Sequence, residues 1–154
     1  MADESEGAEI VGDLLERVVD ALGLEGEIEI SEDEETITGT VHGDDLGLLI
    51  GRHGQTIDAV QHLAGRAVLQ GTEDDRRRVV IDAAGYRARR VEALERLADD
   101  AVEAALTGGS PVPLEPMNAA ERRIVHEYLR DRTEVETYSE GEEPDRCLVV
   151  APAT

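Results

Sequence analysis

The segment Leu48-Leu49-Ile50-Gly51-Arg52-His53-Gly54-Gln55-Thr56-Ile57 decides how the fold is read. Two glycines enclose a two-residue loop, with apolar, helix-compatible residues on both sides. Alone, Gly-x-x-Gly says little, because two glycines also make an ordinary tight turn between helices. The flanks say more. Asp44 or Asp45 is placed to cap a short helix, Leu46 to Ile50. A second helix is expected from Gln55 to Leu69, with Ile57, Val60, Leu63, Ala64 and Ala67 on one face.

Upstream, Ile10, Val11, Leu14, Leu15, Val18, Val19 and Leu22 recur at helical spacing before Gly23, which predicts an amphipathic helix over residues 8–22. Two β-rich runs follow, Glu27 to Ile30 and Thr36 to Val41, joined by the acidic turn Ser31 to Glu35; Ile28, Ile30, Ile37 and Val41 are the inward candidates. Downstream lie a strand, Arg77 to Ile81, and a long helix from Tyr86 carrying Val91, Leu94, Leu97, Ala98, Ala101, Val102 and Ala105. Gly108-Gly109-Ser110-Pro111 ends that helix. The pattern then restarts with an extended piece at Val112 to Leu114, a helix over Ala119 to Leu129, and strand-like runs around Glu134 to Tyr138 and Cys147 to Ala151. Asn118 followed by Glu121 resembles a capping box.

The expected architecture is α+β in two small domains. Residues 1–7 read as an acidic flexible tail, 8–84 as an α-β-β-α-α-β domain, 85–110 as a connecting helix and linker, and 111–152 as a second, smaller α+β domain.

Composition narrows function. The 154 residues include no Phe, no Trp and three Tyr, so modules that stack bases on aromatic rings have almost nothing to stack with. A single cysteine, Cys147, excludes an internal disulfide and a Cys-rich zinc site. His42, His53, His62 and His126 form no metal-binding spacing, and without Lys there is no phosphate-loop lysine. No catalytic residue, metal or cofactor is therefore expected, and the protein does not read as an enzyme. With neither a signal segment nor a membrane-spanning run, it reads as cytoplasmic.

The formal net charge is −21, unfavourable for a polyanionic partner. Its distribution is uneven. Residues 1–35 hold 14 acids and one Arg, net −13, whereas residues 52–96 hold nine Arg and seven acids, net +2.

The loop at Gly51–Gly54 suits a nucleic-acid backbone. Its glycines let phosphates approach the main chain without Cβ obstruction, and free N–H groups at the start of the helix from Gln55 would face them. Arg52 adds a fork for phosphate oxygens and His53 a second donor. Ile50, Ile57 and the sheet are the candidates for an apolar groove in which bases lie flat. Asp at position 54 is expected to keep the fold and repel phosphate.

In this helix, strand, strand, helix, Gly-x-x-Gly, helix, strand order the first half resembles the KH domain in its bacterial, type II arrangement. A second constellation, Glu121-Arg122-Arg123-Ile124-Val125-His126-Glu127-Tyr128, sets Arg122 and His126 four apart on one helix face, a compact anion-binding pair. Arg-x-x-x-His on a capped helix between short strands resembles the R-three-H domain, associated with single-stranded nucleic acid. Both modules in this order, with Pro116-Met117-Asn118 before the helix and Tyr138 to Pro144 after it, resemble the Jag family of bacterial KH and R-three-H proteins over residues 8–152. Longer Jag proteins carry a further N-terminal domain, and with its KH-like segment beginning near residue 8 the sequence reads as a short form without it. The resemblance implies RNA contacts at Gly51, Arg52, His53 and Gly54, and a second face at Arg122 and His126. It also implies single-stranded RNA as partner, with single-stranded DNA as an alternative, sometimes a second small KH protein, and a link to post-transcriptional regulation and cell shape. The competing reading is a protein-interaction adaptor that uses the KH fold as a docking surface.

Overall fold

The computed structural model describes residues 3–154. It divides into two compact units, with the division between Arg87 and Ala88. In the first, α1 (Glu6–Ala21), β1 (Glu27–Glu32), β2 (Thr36–His42), α2 (Gly47–Ile50), α3 (Gln55–Gly71) and β3 (Arg78–Ala83) follow in the expected order, with a 3-10 turn, Arg52–Gly54, between α2 and α3. The sheet order is β1-β2-β3, antiparallel between β1 and β2 and parallel between β2 and β3.

The helices cover one face of that sheet because the apolar periodicities meet there. Val11, Leu15 and Val19 of α1, Ile57, Val60, Ala64 and Val68 of α3, and Ile37, Val41, Val79 and Ile81 of the strands form one buried core. Ile28 and Ile30 pack against its rim. Leu63, expected inward, is 56% exposed, and Val68 takes the inward position instead. Val68 keeps the i, i+4 spacing from Ala64 that one helix stripe demands.

Three local expectations are corrected. Helix α2 has Leu46 at its N-cap and no side-chain cap, so neither Asp44 nor Asp45 performs that role. The 1–7 tail also shrinks. Ser5 caps α1 by accepting from Ala8 N–H, and Gly7 is buried, while Met1 and Ala2 lie outside the described residues. Finally, the segment expected as a connector, 85–110, is core. Helix α4 (Tyr86–Gly108) buries Leu94, Ala98, Ala101, Val102 and Ala105 against Met117, Val125, Leu129, Val135, Leu148 and Val150. The Gly-Gly-Ser-Pro stretch after it is a turn inside the second unit. It reads as a boundary by composition only, since the elements on both sides share one core.

The second unit continues with β4 (Val112–Pro113), α5 (Ala119–Leu129), β5 (Val135–Glu140) and β6 (Cys147–Pro152), in a sheet of order β4-β6-β5 with antiparallel pairs. Helix α5 starts where Asn118 accepts from Glu121 N–H at 2.9 Å, as the capping pattern predicts.

Candidate nucleic-acid interface

The Gly51–Gly54 loop has a backbone that only glycine serves comfortably. Gly51 has φ 74° and ψ 179°, and a Cβ there would come within 2.2 Å of Thr56 Oγ1 and 2.9 Å of Thr56 N. Gly54 has φ 77°, is buried, and lies against Tyr86, whose hydroxyl would be 2.6 Å from an added Cβ. His53 is itself left-handed at φ 53°. These glycines thus hold the loop tight against its own support. The expectation that Asp at position 54 spares the fold fails, because Tyr86 fills the space the side chain would need.

Two of the loop's amides are used internally. Gly54 N–H donates to Gly51 C=O at 3.4 Å and Gln55 N–H to Arg52 C=O, so the expected free amide at Gln55 is already engaged. The side chains differ. Arg52 is exposed, and no acid or carbonyl among the described residues pairs with it; His53 is half-buried. Ile50 is half-buried beside the loop, whereas Ile57 is 0% exposed and belongs to the core, so it cannot line a groove. Leu48, 65% exposed on α2, is the apolar side chain that faces solvent near the loop. On α2, which has only four residues, helical periodicity did not separate Leu48 from Ile50.

The arginine-rich middle is less basic than its count implies. Arg77 donates to Asp75 (2.7 Å), Ser5 Oγ (2.8 Å), Asp33 C=O (3.1 Å) and Glu32 (3.4 Å), and Arg76 pairs with Asp74. The Arg77 guanidinium holds the Asp75 carboxyl below its ordinary range, and the Ser5 hydroxyl, with Arg77 behind it, does the same for Glu32. Asp33 is lowered by the main-chain N–H groups of Glu35 and Thr36. This network fastens the start of α1 to the strands.

In the second unit, Arg122 and His126 do not form an open pair. Arg122 is 8% exposed, donating to Met117 C=O at 2.6 Å and to Glu143 at 2.7 Å. Its fork is spent on the chain around it. Sequence reading missed Glu143, whose only signal was its place in the loop before Pro144. His126 is exposed, with Nδ1 2.5 Å from Thr137 Oγ1 on β5 and no partner for Nε2 among the described residues. Arg90 and Glu121 make a further half-sequestered pair at 2.7 Å.

Among the described residues no three His, Cys, Asp or Glu gather as a metal site, and no helix is long and apolar enough to cross a membrane.

A parallel-plus-antiparallel sheet with a Gly-x-x-Gly turn between two helices, followed by a capped Arg-x-x-x-His helix on a second small sheet, defines a KH module joined to an R-three-H module. Family models agree: one described as "KhpA/KhpB, KH domain" matches residues 8–81, and that of the R-three-H domain matches residues 92–152, a span that includes most of α4. The chain belongs to the KhpB/Jag family. It is similar to proteins named RNA-binding protein KhpB: 40% identical to that of Clostridium symbiosum over 90% of this chain and 63% of the relative. The Lactiplantibacillus plantarum protein is 36% identical over 90% of this chain and 43% of the relative, and the Bacillus subtilis protein 32% over 89% and 66%. The chain thus spans less than two thirds of the length of each of these relatives.

Proposed function

We propose that this protein binds single-stranded RNA, gripping the backbone at Gly51, Arg52, His53 and Gly54 with Ile50 and Gln55 beside the loop. The observation that carries this reading is the exposed Arg52, unpaired among the described residues, on a turn whose main chain is pinned by Gly51 against Thr56 and Gly54 against Tyr86. A cation held on a rigid loop loses little freedom when a phosphate arrives. The name shared by its relatives supports RNA as the partner. In the second module His126 is the contact and Arg122 the fastener beneath it, since a guanidinium bonded to Met117 and Glu143 has few donors to offer. The wider role is non-enzymatic, post-transcriptional and cytoplasmic, alongside a second small KH protein.

Fluorescence anisotropy with short single-stranded RNA at two salt concentrations tests the reading. Arg52→Glu should weaken binding about tenfold or more and flatten the salt dependence by about one phosphate contact. Equal affinity in wild type and variant removes the loop from the site. Binding to DNA but not RNA changes the partner, and binding to neither favours the adaptor reading, with the −21 charge as its attraction for a basic protein.

A further inference from the structure

Strand β1 is an edge of the first sheet, and its register with β2 fixes which of its main-chain groups are free. Asp33 N–H donates to Thr36 C=O at 2.9 Å, so these two residues are a hydrogen-bonded pair at the end of the antiparallel ladder. Such pairs alternate with unbonded ones. Ser31, Glu29 and Glu27 therefore bond to β2, while Ile28, Ile30 and Glu32 point their N–H and C=O groups away from it. Strand β2 agrees from its other side. Glu35 and Val41 turn their carbonyls to Arg78 and Ala84 at β3, which leaves the even-numbered residues of β2 for β1.

The two edges of this sheet differ. On β3 the outward groups of Ile81 are closed by side chains: Gln61 Oε1 accepts Ile81 N–H at 2.9 Å, and Arg87 Nε donates to Ile81 C=O at 2.8 Å. On β1 the main chain of Ile28 and Ile30 has no hydrogen-bond partner among the described residues. The hairpin that carries this open edge is firmly closed. Asp33 Oδ1 accepts from Glu35 N–H and Thr36 N–H, each at 2.8 Å, and Glu32 accepts from the Ser5 hydroxyl at 2.6 Å. The free groups are thus set before a partner arrives, which lowers the ordering cost of pairing.

Side chains decide what can pair there. Ile28 and Ile30 are half-buried at the rim of the core, and Glu27, Glu29 and Ser31 are exposed on the opposite face. Glu29 lies 2.9 Å from His42, and Glu27 has no ion pair among the described residues. Residues 1–35 carry a net charge of −13, with Arg17 the one base against 14 acids. A second copy of β1 would bring like charges together across the new ladder, which is destabilising, and charged edges ordinarily serve to prevent such self-pairing. RNA is repelled by the same carboxylates. A strand of opposite sign is attracted.

We propose that β1 receives an extended segment of a protein partner as an added strand, and that this segment alternates Lys or Arg with apolar residues. Its basic side chains lie beside Glu27 and Glu29, and its apolar ones beside Ile28 and Ile30. Bonds to the main chain of Ile28, Ile30 and Glu32 supply affinity, and the alternation supplies specificity. The inference goes beyond the RNA reading and does not depend on it.

The test is anisotropy titration of a labelled short peptide of alternating lysine and valine by the full chain, beside the same peptide with its main-chain amides N-methylated. Methylation keeps the charge and removes the donors. Two variants accompany it, Glu27→Lys/Glu29→Lys for the charge and Ile30→Pro for the edge, with circular dichroism as the fold control. Proline is tolerated on an edge strand where the lost N–H faces outward. Wild type should bind the unmodified peptide, with affinity down about tenfold or more for the methylated peptide and for each folded variant. If Ile30→Pro does not fold, the methylated peptide asks the same question. Equal affinity for the two peptides reduces the contact to charge alone and overturns the added strand, as does a wild type that binds neither. A wild-type dimer in sedimentation equilibrium that Ile30→Pro dissociates makes a second copy the occupant, and RNA that shifts the Ile28 and Ile30 amides makes nucleic acid the occupant; each overturns the proposal.

Discussion

Arg52 and Arg122 look alike in the sequence, each an arginine near a histidine at a helix, yet they meet opposite environments. Arg52 sits on a pinned turn with its guanidinium in water and no partner among the described residues. Arg122 is 8% exposed and already bonded to Met117 C=O and Glu143. A cation becomes a ligand-binding group only where the fold leaves its charge unspent. A buried arginine that bonds its own chain is costly to remove and has little left to give.

That contrast can be broken at either end. The largest change is expected for Arg122→Ala, which leaves Met117 C=O without its charged donor. Thermal and denaturant unfolding should show a loss of about 2 kcal/mol or more, with the salt dependence of RNA binding unchanged. A variant as stable as wild type, but with a shallower salt dependence, would make Arg122 a phosphate ligand after all. Arg52→Glu should do the converse, with stability within about 0.5 kcal/mol of wild type and RNA affinity down by an order of magnitude. A smaller effect, about 1 kcal/mol on stability, is expected of Asn118→Ala, because Glu121 N–H loses its side-chain acceptor at the start of α5.

Arg77 is spent in the same way as Arg122, and pH dependence reports it. Asp75 and Glu32 have folded pKa values below their ordinary ones, held down by the Arg77 and Ser5 hydrogen bonds respectively. Their contribution is therefore complete above about pH 4, the ordinary carboxylate range, and is lost as the pH falls through the lower folded values. In urea titrations, the stability gap between wild type and Arg77→Met should be widest near neutrality and close in acid. A gap independent of pH would show that Arg77 stabilises by packing alone.

The first module was largely legible. Its helix stripes, the alternation of Ile37 and Val41, and the glycine spacing each follow from one period along the chain, and each appears in the core or the loop. Helix α5 of the R-three-H module was legible for the same reason, including its Asn118 cap. What escaped were properties decided by partners far away in sequence. Ile57 was expected to line a groove, but α1 and the sheet enclose it. The Gly108–Pro111 turn looked like a linker because composition does not show that α4 and α5 share a core. Gln61 carried no local signal, since its bonds run to Ile81 and to Arg87, 26 residues away. Part of the positive count in residues 52–96 is spent locally, with Asp74 paired to Arg76 and Asp75 and Glu32 to Arg77.

RNA held at the Gly51–Gly54 loop, as proposed, would register in amide chemical-shift mapping of the chain during titration with short single-stranded RNA. The largest shifts are expected at Gly51, Arg52, His53, Gly54 and Gln55, with lesser ones around His126. Saturable RNA binding that leaves those five amides unmoved would contradict it.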